Sequence, residues 1–250
     1  MKKQKFKLPI KIILILTIIS LAIFLLIGYI WKVLTTSDFF AVKQVVVRNS
    51  DVSFDYLKGR NIFSLDLRFE SWKALLGCPD CRKVRFVRIF PGRVFVDFIK
   101  RKPVALVKFY KNFAIDEQGV FFYPSGSVEE AGLPVIYGLE TKIFGPKSGT
   151  KYSRPELNLA LSIIGEFKAN KTFQGFALKR VDVANAESAG FFVLPRTELP
   201  GFEVRIGENN IRGKMMILGG LVKQSAKEWA NIKYIDLRFK EPVIKFNNAL

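Results

Sequence analysis

Residues 12–30 form an uncharged, almost wholly apolar run. As a helix rising about 1.5 Å per residue it is long enough to cross a ~30 Å hydrocarbon layer. Beyond it the pattern shortens. Residues 39–48 are β-branched and aromatic and stop at Asn49, Ser50 and Asp51, which predicts a strand and its turn. Ser53 caps a short predicted helix to about Lys58, ended by Gly59. A second helix starts at Ser64 or Asp66 and stops at Gly77, and Leu65, Phe69, Trp72 and Leu76 recur at helical spacing as its expected core stripe. Two strands follow, 83–90 and 93–100, joined by Pro91-Gly92. Val94, Val96 and Phe98 alternate there with Phe95, Asp97 and Ile99, so one sheet face can pack on the two helices. The order is β-α-α-β-β, with exposed edge strands suited to docking.

Past Pro103 strands dominate. They are predicted at 104–110, 113–115, 120–123, 133–138, 176–183, 190–194, 201–206, 233–239 and 243–246. Two helices interrupt. One has Ser153 as cap, Pro155 in its first turn and Leu157, Leu161, Ile164 and Phe167 inward; the other spans about 210–223 with Met215, Leu218 and Val222 inward. Gly213, Gly219 and Gly220 weaken the second. The fold class expected is α+β: a transmembrane helix, a β-α-α-β-β domain and a mainly antiparallel β domain with two helices.

Charge orients the span. Lys2, Lys3, Lys5, Lys7 and Lys11 precede it with no acid among them, which places the amino terminus in the cytoplasm and the bulk of the chain outside. Tyr29 and Trp31 end the run as interfacial aromatics, and Lys32 follows. A cleaved signal peptide would have a shorter apolar core, and its small-x-small site could only be residues 35–37. The net charge of +18 invites a nucleic-acid reading, but five of those charges belong to the inner tail. The rest are spread along the chain and suit a solvated face, an anionic lipid, an acidic wall polymer or an acidic partner.

The chain has no histidine, so neither a Ser-His-Asp nor a Cys-His site can be built, and zinc would rest on two cysteines and carboxylates. Cys78-Pro79-Asp80-Cys81 follows a predicted helix and precedes a strand, the reverse of the thioredoxin order. A small disulfide loop pinning a turn is the reading taken, with a redox pair as the alternative. Lys147-Ser148-Gly149 overlaps Ser148-Gly149-Thr150-Lys151, so one loop would have to fill two motifs that face each other across a penicillin-recognising site. It is a turn. No phosphate-binding glycine loop is present, and no cofactor, metal, nucleic acid or small-molecule substrate is expected.

An ordered set of short stretches remains. Phe40-Ala41-Val42, Val45-Val46-Val47-Arg48-Asn49, residues 59–65, residues 84–91 and Lys102-Pro103-Val104-Ala105 are followed by residues 115–119, 133–138 and 234–239. Taken together and in order they resemble the FtsQ/DivIB family of bacterial cell-division proteins. The resemblance implies a cytoplasmic tail (1–11), a membrane anchor (12–31), a POTRA-like domain (39–108) and a β domain (109–250). It implies a non-enzymatic scaffold of the division septum in the inner membrane, which binds FtsB/FtsL-like partners by strand addition and links them to septal peptidoglycan synthesis. Arg238 and Phe239 match the family's Asp-Leu-Arg-aromatic stretch, Phe246 takes the place of a downstream aromatic, and Glu241 and Val243 lie between them; these five are the expected partner-binding residues. Phe239 could also be a core residue of its strand. Lys100 stands where the family usually has a glutamate, so a local ion pair is missing or reversed. A POTRA-type chaperone of translocation is the alternative function, and an envelope thiol oxidoreductase using Cys78 and Cys81 a further one.

Overall fold

The structure is a computed structural model and describes residues 10–124, 132–196, 199–224 and 229–247. Lys2, Lys3, Lys5 and Lys7 of the basic tail lie outside these residues. The chain divides into two compact units: one comprises the amino-terminal segment to Gly77 with residues 83–99, the other residues 78–82 with everything from Lys100 onward.

The first unit opens with helix α1 (Ile10–Thr36), uncharged and mainly apolar between Lys11 and Lys32, with none of its residues buried. After a 3-10 turn at Asp38–Phe40 come strand β1 (Gln44–Arg48), helix α2 (Leu67–Leu76), and strands β2 (Cys81–Ile89) and β3 (Arg93–Lys100) in the sheet order β1-β3-β2. β1 runs parallel to β3, with Val45 opposite Val94 and Val47 opposite Val96. As the alternation requires, Val94, Val96 and Phe98 are buried, with Val84 and Phe86 beside them and Phe54, Leu57, Ile62 and Leu65 closing the core. Each such buried side chain contributes about 1.5–3 kcal/mol relative to exposure.

Three expectations fail in this unit, and one is the strand expected over 39–48, which begins only at Gln44 because Asp38–Phe40 forms the 3-10 turn. The first helix is only a 3-10 turn, Asp55–Leu57, because Gly59 takes a positive φ of 80° and the chain must return to bond Gly59 N–H to the Val42 carbonyl. The apolar stripe of α2 faces outward. Asp66 caps the helix, accepting from the amides of Arg68 and Phe69, but Phe69, Trp72 and Leu76 point to solvent at 52%, 56% and 64% exposure. The rotation of the helix is set by hydrogen bonds. Ser71 Oγ donates to the Val84 carbonyl of β2, and the buried Glu70 accepts from the Tyr56 hydroxyl. A period near 3.6 identifies a stripe and not the direction it faces. Phe69→Ser and Leu76→Ser in the detergent-solubilised full chain are therefore expected to change the unfolding free energy by no more than about 0.5 kcal/mol. Losses of about 2–5 kcal/mol in denaturant titrations would restore the core reading.

The second unit is one mixed nine-stranded sheet. Its strands are β4 (Ala105–Lys108), β5 (Asn112–Ile115), β6 (Phe121–Phe122), β7 (Val135–Tyr137), β8 (Phe176–Asp182), β9 (Gly190–Pro195), β10 (Phe202–Arg205), β11 (Ile232–Asp236) and β12 (Val243–Phe246). They lie in the order β12-β11-β10-β9-β8-β7-β4-β5-β6. Helix α3 (Pro155–Ala169) joins β7 to β8, helix α4 (Ile211–Gln224) joins β10 to β11, and both connected strand pairs are parallel. That is the crossover geometry parallel neighbours need. The helices pack on each other and on the sheet through Leu157, Ile163, Ile164, Phe167, Met215, Leu218 and Val222. The cap of α3 is Arg154 and not Ser153, and it makes no side-chain bond; Pro155 supplies the preset φ of a first helical residue.

Residues 78–82 belong to this unit. Cys78 and Cys81 are joined by a disulfide. Lys100 Nζ reaches Asp80 Oδ2 at 2.8 Å, so Lys100 is the positive member of an ion pair.

Candidate functional site

The carboxy-terminal edge of the large sheet gathers the five residues singled out in the sequence. β12 is the last described strand on that side and pairs antiparallel with β11: Val243 opposite Asp236, Ile244 opposite Ile235, Lys245 opposite Tyr234. No described strand lies beyond it. The predicted strand over 233–239 ends three residues early, however. Asp236 turns its carboxylate to accept from the Arg238 amide at 3.0 Å, a side-chain-to-backbone bond that competes with the ladder. Pro242 has no N–H to give to a sheet. Arg238, Phe239 and Glu241 consequently occupy the β11–β12 connection, while Val243 and Phe246 lie on β12 itself.

Arg238 is held in place. Its Nε lies 3.0 and 3.2 Å from the two Asp236 oxygens, and its Nη2 is 2.6 Å from Oδ2. Asp236 is buried, whereas about a third of the Arg238 side chain is exposed. The hydrogen bond from Arg238 is the main reason the Asp236 carboxyl lies below the usual carboxylate range; the charge of Arg205 adds to it, against an opposing effect of burial. Arg238 is raised in turn, chiefly by its bond to Asp236. Lys214, whose ammonium donates to the Ile206 carbonyl, is also near enough to feel the Asp236 charge. One buried carboxylate thus orients a guanidinium at the surface.

Phe239 is not a core residue of a strand. The residue is 62% exposed with the Arg238 guanidinium 5.8 Å from its ring centroid, and Val243 and Phe246 are exposed at 47% and 43%. Leu237, between Asp236 and Arg238, is buried and anchors the connection. Tyr234 was not singled out in the sequence. On β11 it carries Arg205 at 4.2 Å over its ring and Lys245 at 6.0 Å, a cation-π stack beside the edge. The signal available for it was the alternation of Tyr234 with the buried Ile235. An arginine and aromatics on an edge that no described strand covers can pair an extended peptide through main-chain bonds and grip its side chains, and among the described residues no catalytic arrangement accompanies them.

The family described as "Cell division protein FtsQ/DivIB, C-terminal" matches residues 105–238. The chain belongs to the FtsQ/DivIB family. Its match runs from the first strand of the large sheet to Arg238, so Phe239, Glu241, Val243 and Phe246 lie just past it. Three proteins named "Cell division protein FtsQ" are similar to it. That of Geotalea daltonii is 24% identical over 230 residues, covering 87% of this chain and 80% of the relative. That of Myxococcus fulvus is 28% identical over 161 residues, covering 64% and 54%. That of Koribacter versatilis is 26% identical over 189 residues, covering 74% and 52%. This FtsQ-family chain is a cell-division protein that has, among the described residues, one helix long and apolar enough to cross a membrane, near its amino terminus.

Proposed function

We propose that the chain is a non-enzymatic scaffold of the division septum, anchored by α1 in the inner membrane with its amino terminus in the cytoplasm. On this reading a tail, an anchor, a POTRA-like domain and a β domain follow one another. FtsB/FtsL-like bitopic proteins are captured at the β domain and connected to septal peptidoglycan synthesis. The observation that carries the reading is the edge of β12, which no described strand covers, with exposed Val243 and Phe246 along it and Phe239 beside the Asp236-held Arg238 at its head. A partner segment would add as a further strand, its main chain supplying affinity and its alternate side chains selectivity. Arg238, Lys240 and Lys245 on this side favour a segment with acidic residues among apolar ones, and Glu241 tempers the choice.

A fluorescent fusion of the full chain tests the address. Rings at midcell in dividing cells are the expected result, and uniform membrane labelling would reject the septal reading. Pull-down of detergent-solubilised FtsB/FtsL-like proteins by the purified chain tests the capture, and no recovery above a bait-free control would reject it.

A further inference from the structure

The end of the first unit where α1 meets the small sheet is built differently from an ordinary linker. The side-chain amide of Asn61 donates to the Leu34 carbonyl at 2.9 Å and to the Ser37 carbonyl at 3.3 Å. Leu34 lies in the last turn of α1, whose carbonyls have no partner further along the helix. Three loops are knitted to this point. Ile62 N–H donates to the Phe40 carbonyl, Val42 N–H to that of Arg60, and Lys43 N–H to that of Gly92. Gly92 itself leaves no room for a side chain, since a Cβ there would stand 2.5 Å from the Ala41 carbonyl oxygen.

On these loops four aromatic rings touch in a row. Phe39 and Phe40 are 5.0 Å apart, Phe40 and Phe63 5.1 Å, and Phe63 and Phe90 5.2 Å. The outer members remain largely uncovered, Phe39 at 60% and Phe90 at 55% exposure. The same segments carry Lys32, Lys43, Arg60 and Arg93, all exposed, against a single acid, Asp38.

The distance along α1 says what this end meets. Tyr29 and Trp31 mark the boundary of the apolar layer on the reading, on which this inference rests, that α1 crosses the membrane. From Trp31 to Thr36 a helix rises only about 7–8 Å. The headgroup layer of one leaflet is about 5–8 Å thick. The rings and cations therefore emerge at headgroup level, where aromatic side chains settle and where lysine and arginine meet lipid phosphates.

We propose that the Phe39–Phe40–Phe63–Phe90 row and its surrounding cations form a membrane-seating surface, which holds the small sheet against the phospholipid headgroups of the membrane that α1 spans. The chain then leaves the bilayer in a set orientation instead of on a free tether.

The test uses the full chain in phospholipid nanodiscs whose acyl chains are brominated near the glycerol end, since bromine quenches tryptophan only at close range. One variant keeps Trp31 alone, with Trp72→Phe and Trp229→Phe. The other carries Phe90→Trp with all three native tryptophans replaced by phenylalanine. Both are expected to lose emission relative to unbrominated discs. Lys43→Glu with Arg93→Glu is expected to restore the emission at position 90 and leave that of Trp31 quenched. Quenching of Trp31 with none at position 90 would overturn the proposal. Trp31 unquenched would reject the membrane span, and the seating surface with it.

Discussion

Asp116→Ala is expected to lower the unfolding free energy of the second unit by about 3–5 kcal/mol, among the largest losses available to a single substitution in this chain. Asp116 is buried, and each of its oxygens is committed. Oδ2 lies 2.6 Å from Arg101 Nη1, while Oδ1 accepts the amides of Gln118 at 2.9 Å and Val120 at 3.0 Å. These bonds shape the turn that passes through Gly119, whose φ of +80° and 2.9 Å clearance to the Tyr152 carbonyl admit no side chain. Alanine would leave two amides unbonded and the guanidinium of Arg101, itself nearly buried, without its counter-charge. Asp116→Asn should cost less, about 1–3 kcal/mol, because an amide oxygen still accepts from the turn. Denaturant unfolding followed at Trp229, which lies in the same unit, measures both. A loss for alanine under about 1 kcal/mol would mean that water already solvates the pair.

This turn also shows what a sequence discloses and what it does not. Residues 115–119 can be read as a turn between strands from Asp116 and Gly119 alone, yet Arg101 as the partner of Asp116 depends on pairing across the sheet. The same division runs through the fold. Strands rich in valine, isoleucine and phenylalanine were legible because alternation follows directly from the pleat, and α3 and α4 because their apolar positions do face the core. The stripe of α2 was misread because Ser71 and Glu70, polar residues that look solvent-facing, are the ones bonded inward. At the candidate site the residue types pointed to the carboxy-terminal end of the chain, where the structure places Arg238, Phe239 and Glu241 in the β11–β12 connection and Val243 and Phe246 on β12. That Arg238 and Phe239 sit in a connection and not on a strand was hidden, since a bond from a carboxylate to an amide two residues on ends β11 against the pull of β-propensity.

Phe239→Ala is expected to weaken binding of the partner segment by about 2 kcal/mol, roughly 30-fold in Kd, without altering the unfolding of the domain. The ring is exposed in the free chain, so truncating it removes no core contact; it can matter only when a partner covers it. Arg238→Ala is a poorer probe. It would strip the buried Asp236 of its bidentate partner and cost about 1–3 kcal/mol of stability, mixing a folding defect with a binding one. The clasp can instead be tested by pH. The Asp236 carboxyl is depressed in the folded chain, chiefly by the bond from Arg238, below the ordinary value of about 3.9. Its stabilising contribution is therefore complete above that ordinary value and is lost as pH falls through the lower folded value. Across pH 5–8 Asp236 should add no pH dependence to binding, and below about pH 4 the β11–β12 connection should loosen. Amide exchange at Leu237 and Arg238, measured beside the affinities of the wild-type and Phe239→Ala chains, separates the two effects. Equal affinities would remove Phe239 from the interface, and protection unchanged down to pH 2 would show that the carboxylate does not hold the connection.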